Sequence, residues 1–232
     1  YPQAAAVGAI SKKITIEASG TATENATHSI YIAGRDGLDG QFYNITIQTG
    51  DSAADIHDKI TAAITAVLGS PVGSSNDDYT VTLESKWKGL TANDISVTID
   101  TNGKDAGITY SIDNDNQAGA GTPSISASLA LFGNEWNTMV VNSYGTVTAV
   151  MTALEQFNGI ADPDAPTGRY EGIVMKPFVA FTGSNLEDPS SITDARASEM
   201  TIVISPSPLS EGLPFESAAN KCAKHARIDR KS

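Results

Sequence analysis

The chain has 232 residues, of which 40% are hydrophobic and 18% charged, and its formal net charge is −12. This composition is typical of a folded globular protein, and no apolar run approaches the ~20 residues of a membrane-spanning helix. Cys222 is the single cysteine, so an internal disulfide is excluded.

Six short segments in the first half alternate apolar with polar residues, which is the pattern of a half-buried β-strand. They are Lys13–Ile16, Ser29–Ala33, Phe42–Gln48, Tyr79–Leu83, Ile95–Ile99 and Ile108–Ile112. Glycines and aspartates at residues 34–40 predict a hairpin turn between the second and third segments.

The segment TGDSAADIHDKITAAITA, residues 49–66, predicts a junction between a strand and a helix. Ser52 followed by Asp55 approximates a capping box at the start of this helix. Apolar residues then recur every three or four positions, which predicts a buried helix face formed by Ile56, Ile60, Ala63, Ile64 and Val67. We expect the helix to end at Gly69.

The order β-β-β-α-β-β-β predicts an α+β domain over residues 14–117, with a largely antiparallel sheet and one main helix on a single face. Residues 1–13 then form an N-terminal segment. The cluster NDNQAGAGTPS is the strongest concentration of loop-forming residues, and it predicts a linker at residues 118–123.

Helices and strands alternate after residue 124, which predicts parallel β-α-β units. The predicted helices are Ser124–Phe132, with Thr122 as its cap, Thr146–Phe157, Ser190–Ser198 and Phe215–Arg227; the predicted strands are Thr138–Asn142, Ile173–Phe181 and Met200–Ser205. Pro177 requires a bulge or an edge position in the second of these strands. The predicted fold class is therefore α+β with two domains, the second a small α/β layered domain at residues 124–232.

The corner Gly50-Asp51-Ser52 is a candidate for a nucleophile or a phosphate site, because a helix N-terminus favours anions. It lacks the G-x-S-x-G spacing of a nucleophile elbow and the Lys-Ser or Lys-Thr pair of a P-loop. Asp51 would also repel a phosphate. We therefore predict that Asp51 or Ser52 caps the helix.

Two other motifs match ligand-binding patterns only in part. GAGTPS, residues 119–124, has serine where the dinucleotide fingerprint has its third glycine. DNDNQAG from Asp113 resembles a calcium loop, but Ala118 and Ser124 occupy the positions that need glycine and glutamate. We interpret the first as a flexible linker and give the second little weight.

The three histidines, His28, His57 and His225, lack the close spacing of a zinc site, and we expect them to be solvated. Trp87 and Trp136 each stand beside polar residues, which favours partly buried anchors over a ligand platform. A dispersed Ser-His-Asp triad stays open, because its members meet only in the folded chain. No catalytic, cofactor-binding or metal-binding residue is predicted, and no cofactor is expected.

The charge is unevenly distributed, since Ile14–Gln117 has fifteen acidic and five basic residues, a net charge of −10. After Asn220 the sign reverses, with five basic residues at Lys221, Lys224, Arg227, Arg230 and Lys231. Nucleic-acid binding needs a basic face, usually with stacking aromatics, and neither accompanies the acidic region. We predict neither nucleic acid nor a membrane as a partner.

Four segments in order resemble the contractile tail sheath proteins of bacteriophages, especially Mu-like ones. They are SGTATENATHSIYIAG, FYNITIQTGDSAADIHDKITAAITA, YTVTLESKWKGLTANDISVTI and AGAGTPSISASLALFGNEWNTMVV, within residues 18–142. The later segments VMKPFVAFTGSN and EMTIVISPSPLS fit the following α/β region more loosely.

This resemblance implies a non-enzymatic structural subunit of the virion tail, assembled in the bacterial cytoplasm. Such subunits polymerise around the inner tail tube and contract to drive the tube through the host envelope. The implied partners are neighbouring sheath subunits, joined through terminal arms that add strands to a neighbour's sheet, the tube protein, the baseplate and the tail terminator. The chain begins without Met, so we expect a fragment that lacks those arms and is monomeric.

The charge distribution favours an outward-projecting domain at residues 14–117, with residues 124–232 in the sheath core. Two other functions stay open. A β-rich acidic domain is also compatible with a surface module that binds glycans or receptors, and a dispersed triad with a hydrolase.

Overall fold

The computed structural model describes residues 8–32, 43–159, 169, 175–193, 202–206, 208 and 212–229. The described residues form two compact units, the first at residues 8–121 and the second from residue 122 onward. The predicted hairpin turn at residues 34–40 lies outside the described residues. Helices and sheets occur in both units, and the predicted α+β fold class is confirmed.

The described part of the first unit contains seven β-strands, one α-helix and one 3₁₀ helix. They are β1 (Ser11–Ser19), β2 (Ala26–Ile32), β3 (Tyr43–Ile47), α1 (Ala53–Thr65), β4 (Val72–Asn76), β5 (Val81–Lys88), the 3₁₀ helix (Leu90–Asp94), β6 (Val97–Asp100) and β7 (Thr109–Gln117).

The seven strands form two antiparallel sheets, a four-stranded sheet in the order β4-β5-β1-β7 and a three-stranded sheet in the order β3-β2-β6. In the first sheet Thr15 pairs with both Thr82 and Asp113; in the second, Ile30 pairs with both Tyr43 and Ile99. Because side chains alternate along a strand, each sheet directs one apolar row into the core.

Helix α1 packs against strands of both sheets through the predicted stripe. Ile56, Ile60 and Ile64 are at most 1% exposed, and burying each contributes roughly 1.5–3 kcal/mol. The helix ends at Thr65 with Ala66 as its C-cap, so the predicted end at Gly69 is wrong. Ala66 donates its N–H to the carbonyls of Ala62 and Ile64, closing the last turn earlier.

Strand β4 was not predicted, because Gly73, Ser74 and Ser75 have low intrinsic preference for strands. Pairing with β5 overrides that preference. The predicted start of the next strand at Tyr79 is wrong, since Tyr79 lies in the hairpin turn and is 80% exposed. Asp77 organises this turn by accepting hydrogen bonds from the backbone N–H groups of Tyr79 and Thr80.

Two further predicted strand boundaries in this unit differ from the structure. Ile95 is buried but precedes β6, because the 3₁₀ helix occupies the residues just before it. The last strand extends through Gln117 rather than ending at Ile112. The chain therefore remains extended through the whole DNDNQ segment.

The first unit is closed where its two ends meet. Ile10 and Ala120 form two reciprocal backbone hydrogen bonds, of 2.8 and 3.1 Å. Asn93 also pairs with Gly119, accepting from its N–H at 2.7 Å and donating to its carbonyl at 3.0 Å. A Cβ atom on Gly119 would lie 2.5 Å from the carbonyl oxygen of Gly89, so this approach needs glycine.

The described part of the second unit contains three strands and four helices. They are α2 (Ser126–Ala130), β8 (Met139–Asn142), α3 (Thr148–Asn158), β9 (Val179–Ser184), α4 (Ser190–Thr193), β10 (Ile202–Pro206) and α5 (Pro214–Asp229). The strands form a parallel sheet in the order β10-β9-β8, as the alternation of strands and helices predicts.

The central strand β9 contributes to packing on two sides. Ala180 packs in a cluster with Val150 and Leu154 of α3, and the next residue, Phe181, lies against His225 of α5 with ring centroids 5.1 Å apart. Consecutive strand residues point to opposite faces, so α3 and α5 lie on opposite faces of the sheet.

Two predicted features of this unit are corrected, and a third lies only partly within the described residues. Helix α2 is shorter than predicted and starts at Ser126 without a side-chain cap, so Thr122 does not cap it. Pro177 precedes β9 rather than interrupting it, because the strand starts at Val179. Only residues 190–193 of the predicted helix at 190–198 are described, and α4 spans all four.

Candidate functional site

The polar groups of the Gly50-Asp51-Ser52 corner form hydrogen bonds with other groups of the same chain. Ser52 Oγ accepts from Asp55 N at 3.3 Å, and Asp55 Oδ2 accepts from Ser52 N at 2.8 Å, so the predicted capping box is confirmed. Gly50, with φ of +95°, donates to Ala22 O at 2.7 Å. These contacts make the corner a fold junction, with its serine hydroxyl held at 2.6 Å from Asp55.

Both acids at this corner have lowered pKa values. Hydrogen bonds from the Ser52 hydroxyl and backbone lower the pKa of Asp55. For Asp51, desolvation acts to raise the pKa, but hydrogen bonds from Lys59 and the Gln48 N–H outweigh it and the net direction is down. The carboxylates are thus held charged, which disfavours a phosphate at this helix N-terminus.

His28 is buried, so the prediction of a solvated side chain is wrong. Its Nδ1 lies 2.6 Å from the Tyr110 hydroxyl and its Nε2 lies 2.9 Å from the carbonyl oxygen of Lys104. Because a carbonyl only accepts, Nε2 carries the hydrogen and Nδ1 accepts from Tyr110. Burial raises the pKa of Tyr110. Both ring nitrogens therefore serve the fold.

His57 is also buried, on the same helix side as Ile60 and Ile64, again contrary to the prediction. Its Nε2 accepts a hydrogen bond from the backbone N–H of Ala18 at 2.9 Å, which places the hydrogen on Nδ1. The spacing 57, 60, 64 is helical, so the sequence contained the signal that placed His57 inside.

His225 on α5 is exposed, as predicted, with Nδ1 3.0 Å from the carbonyl oxygen of Lys221. The described ranges contain no group of three histidine, cysteine or carboxylate side chains placed to hold a metal ion. Nor does any helix within those ranges combine the length and apolar character needed to cross a bilayer.

The two partial motifs are accounted for by backbone structure. The calcium-like segment belongs to the extended strand β7, where Asp113 accepts from the N–H of Asp115 at 2.9 Å. A strand does not wrap its carboxylates around one ion as a calcium loop does. The segment at Gly119 and Ala120 is fixed to Asn93 and Ile10, so its interpretation as a flexible linker is wrong at these residues.

The tryptophans differ from each other. Trp87 is 1% exposed and donates Nε1–H to Thr91 Oγ1 at 3.0 Å, so it is a core residue rather than a partly buried anchor. Trp136 is 57% exposed and donates to the Pro177 carbonyl at 2.8 Å, which agrees with the predicted partly buried anchor.

Lys12 and Asp94 form a titratable cluster that the sequence reasoning missed. Lys12 is 5% exposed, and its Nζ donates to Ile95 O at 2.7 Å and lies 3.9 Å from Asp115. Desolvation lowers the pKa of Lys12 despite the attraction of Asp115 and Asp94. Desolvation raises the pKa of Asp94 to about 6, opposed by Lys12. Lys12, Ile14 and Ile16 lie on the same face of β1, because side chains alternate along a strand. This spacing in the sequence was the pattern that could have predicted the burial of Lys12.

Arg169 in the second unit is a buried cation that no sequence pattern singled out. Its guanidinium donates to the carbonyls of Lys176, Gly133 and Glu135 and lies 5.5 Å from the ring centre of Phe157. Among the residues that the structure describes, backbone carbonyls and aromatic rings surround this charge and no carboxylate pairs with it. Arg169 thus links the segment that contains Gly133 and Glu135 to Lys176.

The chain is similar to a curated relative, the Mu-like prophage FluMu tail sheath protein of Haemophilus influenzae. The two are 29% identical over 133 residues, which is 56% of this chain and 26% of the relative. The chain thus spans about a quarter of that relative. This similarity confirms the resemblance to tail sheath proteins that the motifs predict.

No family model matches the chain. Among solved structures, it is similar to the flagellar cap protein FliD D1-D2-D3 domains from Escherichia coli, with a TM-score of 0.24 and 14% identity, covering 93% of this chain and 80% of that chain. At this score the similarity carries no argument about fold or function.

Proposed function

We propose that the chain is part of a structural subunit of a contractile phage tail sheath, which polymerises around the inner tube and contracts to drive it through the host envelope. The similarity to the FluMu tail sheath protein carries this proposal. The hydrogen bonds of Ser52, His28 and His57 support a non-enzymatic role, since each of these candidate groups is committed to packing or capping.

The first unit is proposed to project outward while the second contributes to the sheath core. The first unit's ends pair at Ile10 and Ala120, so the chain enters and leaves this unit at one place. Its acidic charge disfavours close packing of many copies in an interior. Both features suit a peripheral module attached by one base.

The proposed partners are neighbouring sheath subunits, the tail tube protein, the baseplate and the tail terminator. The proposed location is the virion tail, after assembly in the bacterial cytoplasm. Arms that add strands to a neighbour's sheet supply main-chain hydrogen bonds between subunits. We expect the 232-residue chain by itself to be monomeric at physiological ionic strength, and light scattering that detects stable rings or tubes would contradict this.

Electron microscopy of the full-length protein, expressed alone, tests the proposed function. Long hollow tubes of regular diameter are the expected result, because sheath subunits assemble through contacts with copies of themselves. A full-length protein that stays monodisperse at high concentration, with no tubes or rings, would exclude a sheath subunit that assembles by itself.

A surface module that binds glycans is the second candidate, and Tyr79 is the observation that favours it. Tyr79 is 80% exposed on a turn held by Asp77, and an exposed aromatic ring on an ordered turn is a surface on which a sugar can stack. A glycan array probed with wild type and Tyr79→Ala tests this function. Tyr79-dependent binding supports it, and the absence of any bound glycan removes it.

A further inference from the structure

Helix α5 carries a basic stripe formed by Lys221, Lys224 and Arg227, at a spacing of three residues. All three side chains are exposed. Across the part of the chain that the structure describes, the ion pairs within 4.0 Å involve Lys12, Lys13, Lys59 and Lys104 and none of the stripe. The stripe therefore has its charge available for a partner.

A cleft of about 440 Å³ lies beside this stripe, between α5 and the end of β10. Its walls include Lys221, Lys224, Asn220 and Ser205, whose side chains are each able to donate a hydrogen bond. Glu216, the acid in the wall, accepts from the backbone N–H of Leu213 at 2.8 Å. The two lysines give this cleft a basic side, which suits carboxylates.

Many carboxylates in the described part of the first unit accept hydrogen bonds within that unit. Caps and turns use the acids Asp51, Asp55, Asp77, Asp100 and Asp105. Glu17 and Asp113 are both exposed on the outer face of the four-stranded sheet, where Asp113 accepts one hydrogen bond, from the backbone N–H of Asp115.

The surroundings of Glu17 and Asp113 are flat. Glu17 pairs with Ser111, Asp113 pairs with Thr15, and Ser19 pairs with Thr109, so the side chains opposite these acids are short hydroxyls. The side chains paired with Glu17 and Asp113 are short, which lets a helix approach the two carboxylates closely.

We propose that the α5 stripe docks on this acidic sheet face of a second copy of the chain, with Lys221, Lys224 and Arg227 facing Glu17 and Asp113. The inference rests on the proposed function, since a sheath supplies neighbouring copies. The two surfaces are different patches of one chain, so the contact is heterologous and, repeated from copy to copy, builds rings or open filaments.

Sedimentation velocity of the 232-residue chain at about 10 mM salt, where the Debye length is about 30 Å, measures this contact. We expect concentration-dependent self-association that is lost near 150 mM salt. Replacing Lys221, Lys224 and Arg227 together by Gln should weaken the association constant at least about tenfold. The variant Ser126→Glu, Asn137→Glu and Gln156→Glu changes the net charge equally at exposed sites and should associate like wild type.

A charge exchange makes the test specific for the two surfaces. One variant carries Glu at all three basic positions of α5, and the other carries Glu17→Lys and Asp113→Lys. Each alone should remain monomeric at low salt because like charges then meet. An equimolar mixture should associate again, because the acidic helix of one chain meets the basic sheet face of the other. Circular dichroism of each variant verifies folding.

Three results would overturn the inference: a wild-type chain that stays monomeric at low salt, a Gln variant that associates normally, or a mixture of exchanged variants that fails to associate. The proposed function fails separately, by absence of tubes from the wild-type full-length protein. If wild-type tubes form and the three Glu substitutions leave tube assembly unchanged, the docking surface is wrong while the sheath function stands.

Discussion

The side-chain amide of Asn114 in β7 pairs with both backbone polar groups of Val97 in β6. Val97 N donates to Asn114 Oδ1 at 2.7 Å, and Asn114 Nδ2 donates to Val97 O at 3.1 Å. These strands are edge strands of different sheets, so one side chain takes the place of a neighbouring strand. In the second unit Asn158 pairs with Phe178 in the same way.

Replacing Asn114 by Ala should destabilise the first unit by about 1–3 kcal/mol, because the buried N–H and carbonyl of Val97 lose their partners. Urea unfolding followed by tryptophan fluorescence measures the change. Asn116→Ala is the matched control, since Asn116 lies exposed on the same strand and should alter stability by less than about 0.5 kcal/mol. Equal effects of the two substitutions would contradict the pairing argument.

Replacing Ser52 by Ala should cost about 1 kcal/mol of stability, because α1 loses the hydroxyl that caps the Asp55 N–H. Ser52→Asn should retain most of the stability, since asparagine caps as well as serine. Thermal unfolding compares the two variants. If Ser52 were instead a nucleophile, a serine-reactive fluorophosphonate probe would label the wild type and not Ser52→Ala, and we expect no labelling of either.

Asp94 should make stability fall as the pH rises from about 4 to about 6. Its pKa is raised to about 6 by desolvation, so the folded state keeps a proton that the unfolded state releases. Protonation of Asp94 stabilises the folded state fully at pH values below the pKa of this residue in the unfolded chain. The stabilisation is lost as the pH rises through about 6. Asp94→Asn should flatten this slope and stabilise the chain at pH 7 by at most about 3 kcal/mol.

Urea midpoints of wild type and Asp94→Asn at four pH values between 4 and 7 test that prediction. Asp78→Asn, at an exposed turn position, controls for the loss of one negative charge. The cause assigned to the slope is wrong if Asp94→Asn keeps the wild-type pH dependence.

Replacing Gly183 by Ala should lower the free energy of unfolding of the second unit by about 1–3 kcal/mol or more. A Cβ atom there would lie 1.7 Å from the Pro214 carbonyl oxygen, so β9 and the start of α5 must separate. Gly73→Ala is the control, because nothing lies within 4 Å of its added Cβ. Differential scanning calorimetry should show a lower melting temperature for Gly183→Ala and little change for Gly73→Ala.

Residues 8–121 expressed alone should fold, because they form one compact unit whose two ends pair at Ile10 and Ala120. We expect a β-rich circular dichroism spectrum and one cooperative urea transition. Adding Gly119→Ala should weaken this transition, since its Cβ would meet the Gly89 carbonyl oxygen at 2.5 Å. A non-cooperative transition in the unsubstituted fragment would contradict independent folding.

Patterns that repeat over a few residues were enough to predict most helices and strands. The apolar stripe of α1 and the Ser52–Asp55 capping box depend on contacts three or four residues apart, and the alternation in β1, β2 and β3 depends on a period of two. Such patterns are local, so the sequence by itself determined the α+β class and the start of α1. It also contained the motifs that resemble tail sheath proteins.

Only the tertiary structure decided which polar side chains are buried and which groups they form hydrogen bonds with. His28 and Tyr110 form a hydrogen bond although they are 82 residues apart in sequence, and Lys12 and Ile95 do so at a separation of 83 residues. Pairing with β5 makes β4 a strand, although its glycine- and serine-rich sequence predicts a turn. A polar side chain can be buried only where another segment supplies its hydrogen bonds, and that segment is identified by the register of the sheets rather than by nearby residues.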